Sequence, residues 1–523
     1  MICLTKPTPA RHSPSNFSIG HRGGRGSSTS PPPCLHLLPP TRISKQPGTR
    51  SFHCCSRSHA YELPSLPRRT TRRDAAAIPA AATGVGRHAD GQQMWALCGF
   101  GYWVQGFRCF PWLALNFHLV HALHLSPSSL QLVQHTGCLP MVAKPLFGVL
   151  SDAVHIGGAR RLPYIAIGAF LQLMSWGTLA LFATTGQIFS MQMACILISN
   201  LGASVTEVVS DALVAEIGRT HREGELQSYA FIALAVGALL GNLSGGFLLL
   251  KTQEPKTMFF TFSFLLAMQL ALSLTTREEE IYSLPNPSSK YQIIRGTVSE
   301  NLGEKFSNLI TAVSEESIFY PLSWIVASVA VVPILSGSMF CFQTQFLQLD
   351  PSVIGLSKVI GQLMVLCATV FYERCLKRIP MRRLIFGTQV LYALALLSDF
   401  FLVKRINVKL GISNEAYVLC FSALAEAFAQ LKVLPFTVLF SQQCPAGCEG
   451  SLFAFFASAM CLSSILSGVF GVGLASLIGV AAGDYSSMHW GILLQFVAAL
   501  VPLGWISCVP MTASSKEMRL AQR

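Results

Sequence analysis

Charge is what this chain has least of. Only 12% of its 523 residues are Asp, Glu, Lys or Arg, whereas soluble domains carry about 25%. That supply cannot cover a soluble globule of this size, so the soluble class is excluded. Catalytic signatures are missing too. No Gly-rich phosphate loop ending in Gly-Lys-Ser/Thr occurs, no His-Glu-x-x-His and no Gly-x-Ser-x-Gly, which removes the usual marks of nucleotide, metalloprotease and hydrolase chemistry. A regular cysteine spacing is also lacking. Four of the 16 cysteines fall in the first 89 residues and the others scatter through apolar stretches, where cysteine behaves as a small hydrophobe. The close pair Cys444 and Cys448 has no second pair or histidine beside it, so neither a zinc site nor a disulfide framework is expected. No cofactor and no metal are expected.

What is present is oil. Hydrophobic residues make up 51% of the chain and the mean hydropathy is +0.48, the composition of a membrane protein. The net charge of +13 belongs mostly to one arm: residues 1–89 hold 13 of the 38 Lys and Arg but only two acids, Glu62 and Asp74. The rest is close to neutral and shows no basic face for a nucleic acid. The arm is rich in Ser, Thr, Pro and Arg and has no apolar signal core. It reads as a disordered transit peptide, plastid-like rather than mitochondrial; an ordinary disordered tail is the alternative.

A spanning helix needs about 20 apolar residues. Twelve such runs fit, near 95–122, 128–150, 162–183, 188–216, 226–250, 257–275, 321–347, 352–373, 381–403, 415–440, 450–479 and 486–510. The expectation is an all-α integral membrane protein of two six-helix bundles, 90–275 and 321–510. A polar linker, 276–320, joins them and a polar tail, 511–523, closes the chain. Within the linker "LGEKFSNLITAVSEESIFYPL" has helical apolar spacing and predicts a short amphipathic helix on the inner surface. With both ends inside, the inner loops and tail hold 16 Lys and Arg and the outer loops five, the sign of the positive-inside rule. The outer cluster Lys404–Lys409 opposes it.

Four cations remain inside the runs: Arg108, Lys144, Lys358 and Lys432. A charge in a bilayer costs at least about 2.5 kcal/mol, so such residues usually have work to do. Glu207 and Asp211 are four apart, hence on one helix face. Side by side they suit proton binding or hydrogen bonds from a substrate's N–H groups; structural pairing with basic neighbours is the other reading. Arg108, among glycines and aromatics, Lys144, which is also a latch candidate, and Lys432 are candidates to hold a substrate anion. Lys358 reads as snorkelling toward the outer end. His118, His121, His124 and His135 read as interfacial rather than metal-binding.

In "MVAKPLFGVLSDAVHIGGARRLPYI" a Gly-x-x-Ser-Asp turn, Gly148 to Asp152, precedes Arg160 and Arg161. It resembles the signature loop of the major facilitator superfamily. Asp152, Arg160, Arg161, Lys144 and Glu216 then form a candidate latch between conformations; plain inner-face anchors are the alternative. "FYERCLKRIPMRRLI" echoes it in the second half, and repeated halves belong to alternating-access carriers. In "GALLGNLSGG" Gly237, Gly241, Gly245 and Gly246 allow close helix approach, with Asn242 where the superfamily pattern has Pro.

"KPLFGVLSD", "RRLPYI", "VVSDALVAEIGR" and "CPAGCEGSLFAFFAS" resemble the folate-biopterin transporter family, in its plant plastid branch, over roughly 95–510. The resemblance implies a major facilitator fold and a monomeric secondary transporter of folates or pterins in the plastid envelope, working by alternating access without catalysis. Coupling to protons is expected from Glu207 and Asp211. A carrier of another organic anion on the same fold is the nearest alternative. A membrane-embedded enzyme or a non-transporting scaffold leaves the embedded charges unexplained.

Overall fold

The computed structural model describes residues 83–156, 159–182, 189–220, 225–276, 298–443, 449–480 and 483–510. The arm up to residue 82, the Cys444–Cys448 pair and the 511–523 tail lie outside the described residues.

The first half begins with α1 (Thr83–Phe107) and α2 (Cys109–Phe117), which ends in a π turn, His118–Ala122. Next come α3 (Pro127–Thr136), a 3-10 turn Leu139–Ala143 and α4 (Lys144–Ala153). Four long helices complete it: α5 (Leu162–Phe182), α6 (Phe189–Thr220), α7 (Glu225–Thr252) and α8 (Pro255–Thr275). The linker carries α9 (Val298–Ser314), packed beside α4.

The second half opens with α10 (Glu316–Ala330) and α11 (Ser336–Cys341), again ending in a π turn, Phe342–Phe346. It continues through α12 (Pro351–Arg374), α13 (Met381–Val403), the short α14 (Ile406–Lys409) and α15 (Asn414–Tyr417) leading into α16 (Ala423–Gln443). Last are α17 (Glu449–Leu477) and α18 (Met488–Leu500), extended by a 3-10 stretch, Val501–Cys508. Among the described residues no strand forms beyond an isolated bridge between Ile156 and Ala159.

Nine helical stretches among the described residues are long and apolar enough to cross a membrane. The other three expected runs are also helical but interrupted, and each break has a sequence cause. Pro111 has no N–H for the Phe107 carbonyl, so α1 and α2 part at Arg108. Pro140 sits in the 3-10 turn before α4. Pro333 lies in the gap between α10 and α11. With these three, the helices fall into two runs of six on either side of α9.

Packing within each half is tight. α5 lies against α6 and α8, and α1 against α7; α13 lies against α16 and α18. Trp176 with Phe259 and Phe262 centres the first half, and Trp324 with Phe436 the second. The buried Trp324 indole donates to the Pro502 carbonyl at 3.1 Å, as an indole N–H away from water requires. Lipid gives no hydrophobic drive between helices, so association rests on close contact of small residues and on hydrogen bonds. A methyl group on Gly237 would lie 2.2 Å from the Trp103 carbonyl oxygen, and one on Gly241 would lie 2.7 Å from the Cys109 sulfur. Gly245 has only ordinary 3.5 Å contacts.

The halves meet along α7–α12 and where α3 and α4 face α17. We call the face bearing the Asp152–Arg161 turn inner and the opposite face outer. Closure is closest toward the outer face. A methyl group on Gly355 of α12 would lie 2.7 Å from the Asn242 carbonyl oxygen of α7. On the other line of contact Gln131 of α3, fully buried, donates to the carbonyls of Ile334 at 2.6 Å and Gly468 at 2.8 Å and accepts from the Gly337 N–H at 3.2 Å. All three partners belong to the second half.

Candidate functional site

The break at Arg108 and the 3-10 turn before Lys144 matter because they aim two cations at α6. Arg108 Nη1 donates to Glu207 Oε1 at 2.8 Å, and Lys144 Nζ to Glu207 Oε2 at 2.8 Å. Each carboxylate oxygen takes one cation, a charge-assisted arrangement about twice as strong as neutral bonds. One turn further in, Asp211 accepts from the Tyr102 hydroxyl of α1. Between Tyr102 and Arg108 on α1, Gln105 carries a buried Nε2 with no hydrogen-bond partner. Lys144, read from the sequence as part of the latch, therefore joins the central cluster. Tyr102 and Gln105 were not legible as site residues, since an aromatic and an amide in an apolar run look like packing.

The cluster is partly exposed on a side of α6 that faces other helices. Met191 and Ile198 mark the outward side of α6; Glu207 lies nine residues beyond Ile198, about half a turn around the helix at roughly 100° per residue. Yet Glu207 is 23% exposed and Asp211 is exposed. On the same inward face but closer to the outer side, Asn200 and Ser204 are buried, at 1% and 0%. Exposure thus grows along one interior face toward the inner side. The seam between the halves is thus sealed near its outer end, and the polar face of α6 is more exposed near its inner end.

At the inner mouth Asp152, Arg160, Arg161 and Glu216 converge. Arg161, 3% exposed, holds Asp152 at 2.5 Å, Glu216 at 2.7 Å and the Ser151 hydroxyl at 2.7 Å. Arg160 reaches Asp152 at 2.9 Å and Glu216 at 3.0 Å. Burial pulls Arg161 down, but Glu216 and Asp152 outweigh it and hold the guanidinium above its ordinary value. These bonds tie α4, the start of α5 and the end of α6, all in the first half. The second-half echo is built differently: Arg382 donates to the backbone carbonyls of Ser507 at 2.9 Å and Val509 at 2.7 Å, pinning the end of the last span.

Lys432 lies apart from the cluster. It is 2% exposed in α16, with its ammonium 4.8 Å from the centre of the Tyr392 ring, a cation–π contact. Glu426 of the same helix faces Lys358 of α12 instead. His118 is buried near Gln192, and His135 packs onto Gly468.

A bundle of long apolar helices in two halves, with paired charges between the helices, defines a polytopic membrane protein. Solved structures of that class share the fold. The D-xylose-proton symporter matches with a TM-score of 0.56 at 17% identity, over 79% of this chain and 97% of that one. The xylose transporter XylE from E. coli, in an inward-open conformation, matches with 0.56 at 15% identity, over 82% and 98%. The chain belongs to the BT1 family, whose pattern it matches over residues 105–521. Among its relatives are "Probable folate-biopterin transporter 8, chloroplastic" of Arabidopsis thaliana, 56% identical over 81% of this chain and 77% of the relative, and "Probable folate-biopterin transporter 7" of the same plant, 41% identical over 83% and 97%. The "Folate-biopterin transporter" of Synechocystis is 27% identical over 78% and 80%.

Proposed function

We propose that this chain is a secondary transporter of folates or pterins in the plastid envelope, working by alternating access and driven by protons. One observation carries the reading: Arg108, Lys144 and Glu207, with Asp211 a turn away, meet between spanning helices instead of at the lipid face. Such groups are costly in a bilayer unless they serve transport. The names of the relatives support the cargo and the organelle, and the fold of solved carriers supports the mechanism.

The cluster suggests a division of labour. Glu207 has both oxygens committed to Arg108 and Lys144. Asp211 has a neutral tyrosine for its partner and stands in the open part of the cavity, so it is the group to exchange a proton. Arg108 and Lys144, sharing one carboxylate, keep donors for the cargo, and Gln105 offers an unused N–H. The latch of Asp152, Arg160, Arg161 and Glu216 sets the inner ends of α4, α5 and α6 as one rigid piece. Lys432 serves from the second half, as a buried cation held by Tyr392 until the helices move.

The test is uptake of labelled folate into liposomes holding the full chain, with and without an inward proton gradient. Gradient-stimulated uptake, competed by free pterin, is expected. Competition by unrelated organic anions, with none by pterin, would favour the same carrier for another cargo.

A further inference from the structure

The second half carries an ion pair that the central cluster does not use. Lys358 of α12 and Glu426 of α16 stand 3.6 Å apart with side chains 58% and 39% exposed. In the first half the corresponding ion pairs close to 2.8 Å. A lysine in a spanning helix is ordinarily explained by snorkelling to the surface. The geometry here is against it. Lys358 is seven residues past the outer start of α12, about 10 Å down at 1.5 Å per residue. It also does not share the outward stripe of that helix. Leu356, Leu363, Leu366, Val370 and Phe371 are the exposed large apolar side chains of α12, and Lys358 lies about 140° around the axis from their mean direction. Its exposure is therefore to the interior. One turn along α16 from Glu426, Gln430 is exposed as well.

Depth can be read across α7. Gly355 of α12 abuts Asn242 and Gly246 of α7. Lys358 is three residues further in, which brings it level with about Gly241. Gly241 in turn abuts Phe107 and Cys109, the residues flanking Arg108. Arg108 and Lys358 thus share one depth on opposite sides of α7, one on each half of the carrier.

The geometry points to Lys358 as an anion subsite on the second-half wall that takes a carboxylate of the cargo, with Glu426 as the occupant the cargo displaces. Three features fit that role. The pair is long enough to lack a hydrogen bond, so Glu426 is loosely held. Both side chains are well exposed, so Glu426 is not buried without a partner when it lets go. An ammonium has three donors and can gain a cargo carboxylate in place of Glu426. A cargo bridging Arg108 and Lys358 touches both halves at once, which ties its binding to their movement. This inference rests on the transporter reading above and adds which end of the cargo meets which half.

The experiment compares two probes with the full chain in liposomes: labelled folate, which carries a glutamyl carboxylate, and labelled biopterin, which has none. Lys358→Gln is expected to raise the KM for folate about tenfold or more, the loss of one charged hydrogen bond, and to leave biopterin uptake within about twofold, the ordinary effect of a neutral surface change. Lys358→Arg keeps folate uptake, and Glu426→Gln lowers the folate KM because the competitor has gone. Biopterin uptake also reports that each variant is folded. Equal loss of both probes in Lys358→Gln, or loss of neither, overturns the inference alone. A wild-type chain that moves neither probe overturns the transporter reading and this inference with it.

Discussion

Gln131 donates its side-chain amide to the Gly468 carbonyl at 2.8 Å, reaching from the first half of the molecule into the second. With the Ile334 and Gly337 bonds it closes the outer side by a residue that is 0% exposed. A variant removes all three bonds across the seam, each worth about 1 kcal/mol net, and removes them only from the outward-closed state. Gln131→Ala is expected to favour the outward-open state. Distances between spin labels on the outer ends of α3 and α11 should lengthen in the variant, while thermal unfolding shifts little.

Glu207 balances two cations, which fixes an order of severity. Glu207→Gln leaves Arg108 and Lys144 facing each other, and removing one member of a partly buried pair costs about 3 kcal/mol or less at this exposure. The single variant should unfold at a lower temperature in detergent and lose uptake. Adding Lys144→Gln should restore much of the thermal stability without restoring uptake. A double variant no more stable than the single one would contradict the charge balance.

Much of this was readable in the residues and some was not. Spans and the basic inner loops follow from what a bilayer demands, and Pro111, Pro140 and Pro333 mark the breaks in the chain itself. Glu207 and Asp211 share a face by spacing alone. Their different partners do not follow, because which cation reaches which carboxylate depends on how α1 and α4 meet α6. Lys144 shows the difficulty best. Eight residues from Asp152 in the sequence, it starts a new helix after a 3-10 turn, and that turn carries its ammonium to Glu207. In the sequence Lys358 reads as a snorkelling side chain, because its direction around the helix has meaning only once the outward stripe of α12 is known.

Asp211 is the proton site on this reading. Asp211→Asn should abolish stimulation of folate uptake by a pH gradient while leaving exchange of folate across the membrane. Tyr102→Phe removes the donor to Asp211 but keeps the carboxylate, so stimulation should persist with a displaced pH profile. Uptake at a series of pH values in both variants separates the two effects.

Arg161 is the keystone of the inner mouth. Arg161→Ala leaves Asp152 and Glu216 to Arg160 alone and is expected to cost about 3 kcal/mol or less, read as a fall of several degrees in Tm; Arg161→Lys should recover part of it, since one ammonium cannot match the forked contacts of a guanidinium. Arg382→Ala, whose partners are backbone carbonyls, should fray the end of the last span and spare the inner mouth.

The interior face of α6 offers the most direct measurement. In a chain whose native cysteines are replaced by alanine or serine, Ser204→Cys is treated with a membrane-impermeant thiol reagent from the outer side, with and without folate and a proton gradient. Ser204 is sealed in the structure, so labelling is expected to be slow at rest and to rise when cargo and gradient drive the cycle. A rate indifferent to cargo and gradient, whether fast or slow, would contradict a cavity that opens alternately to the two sides.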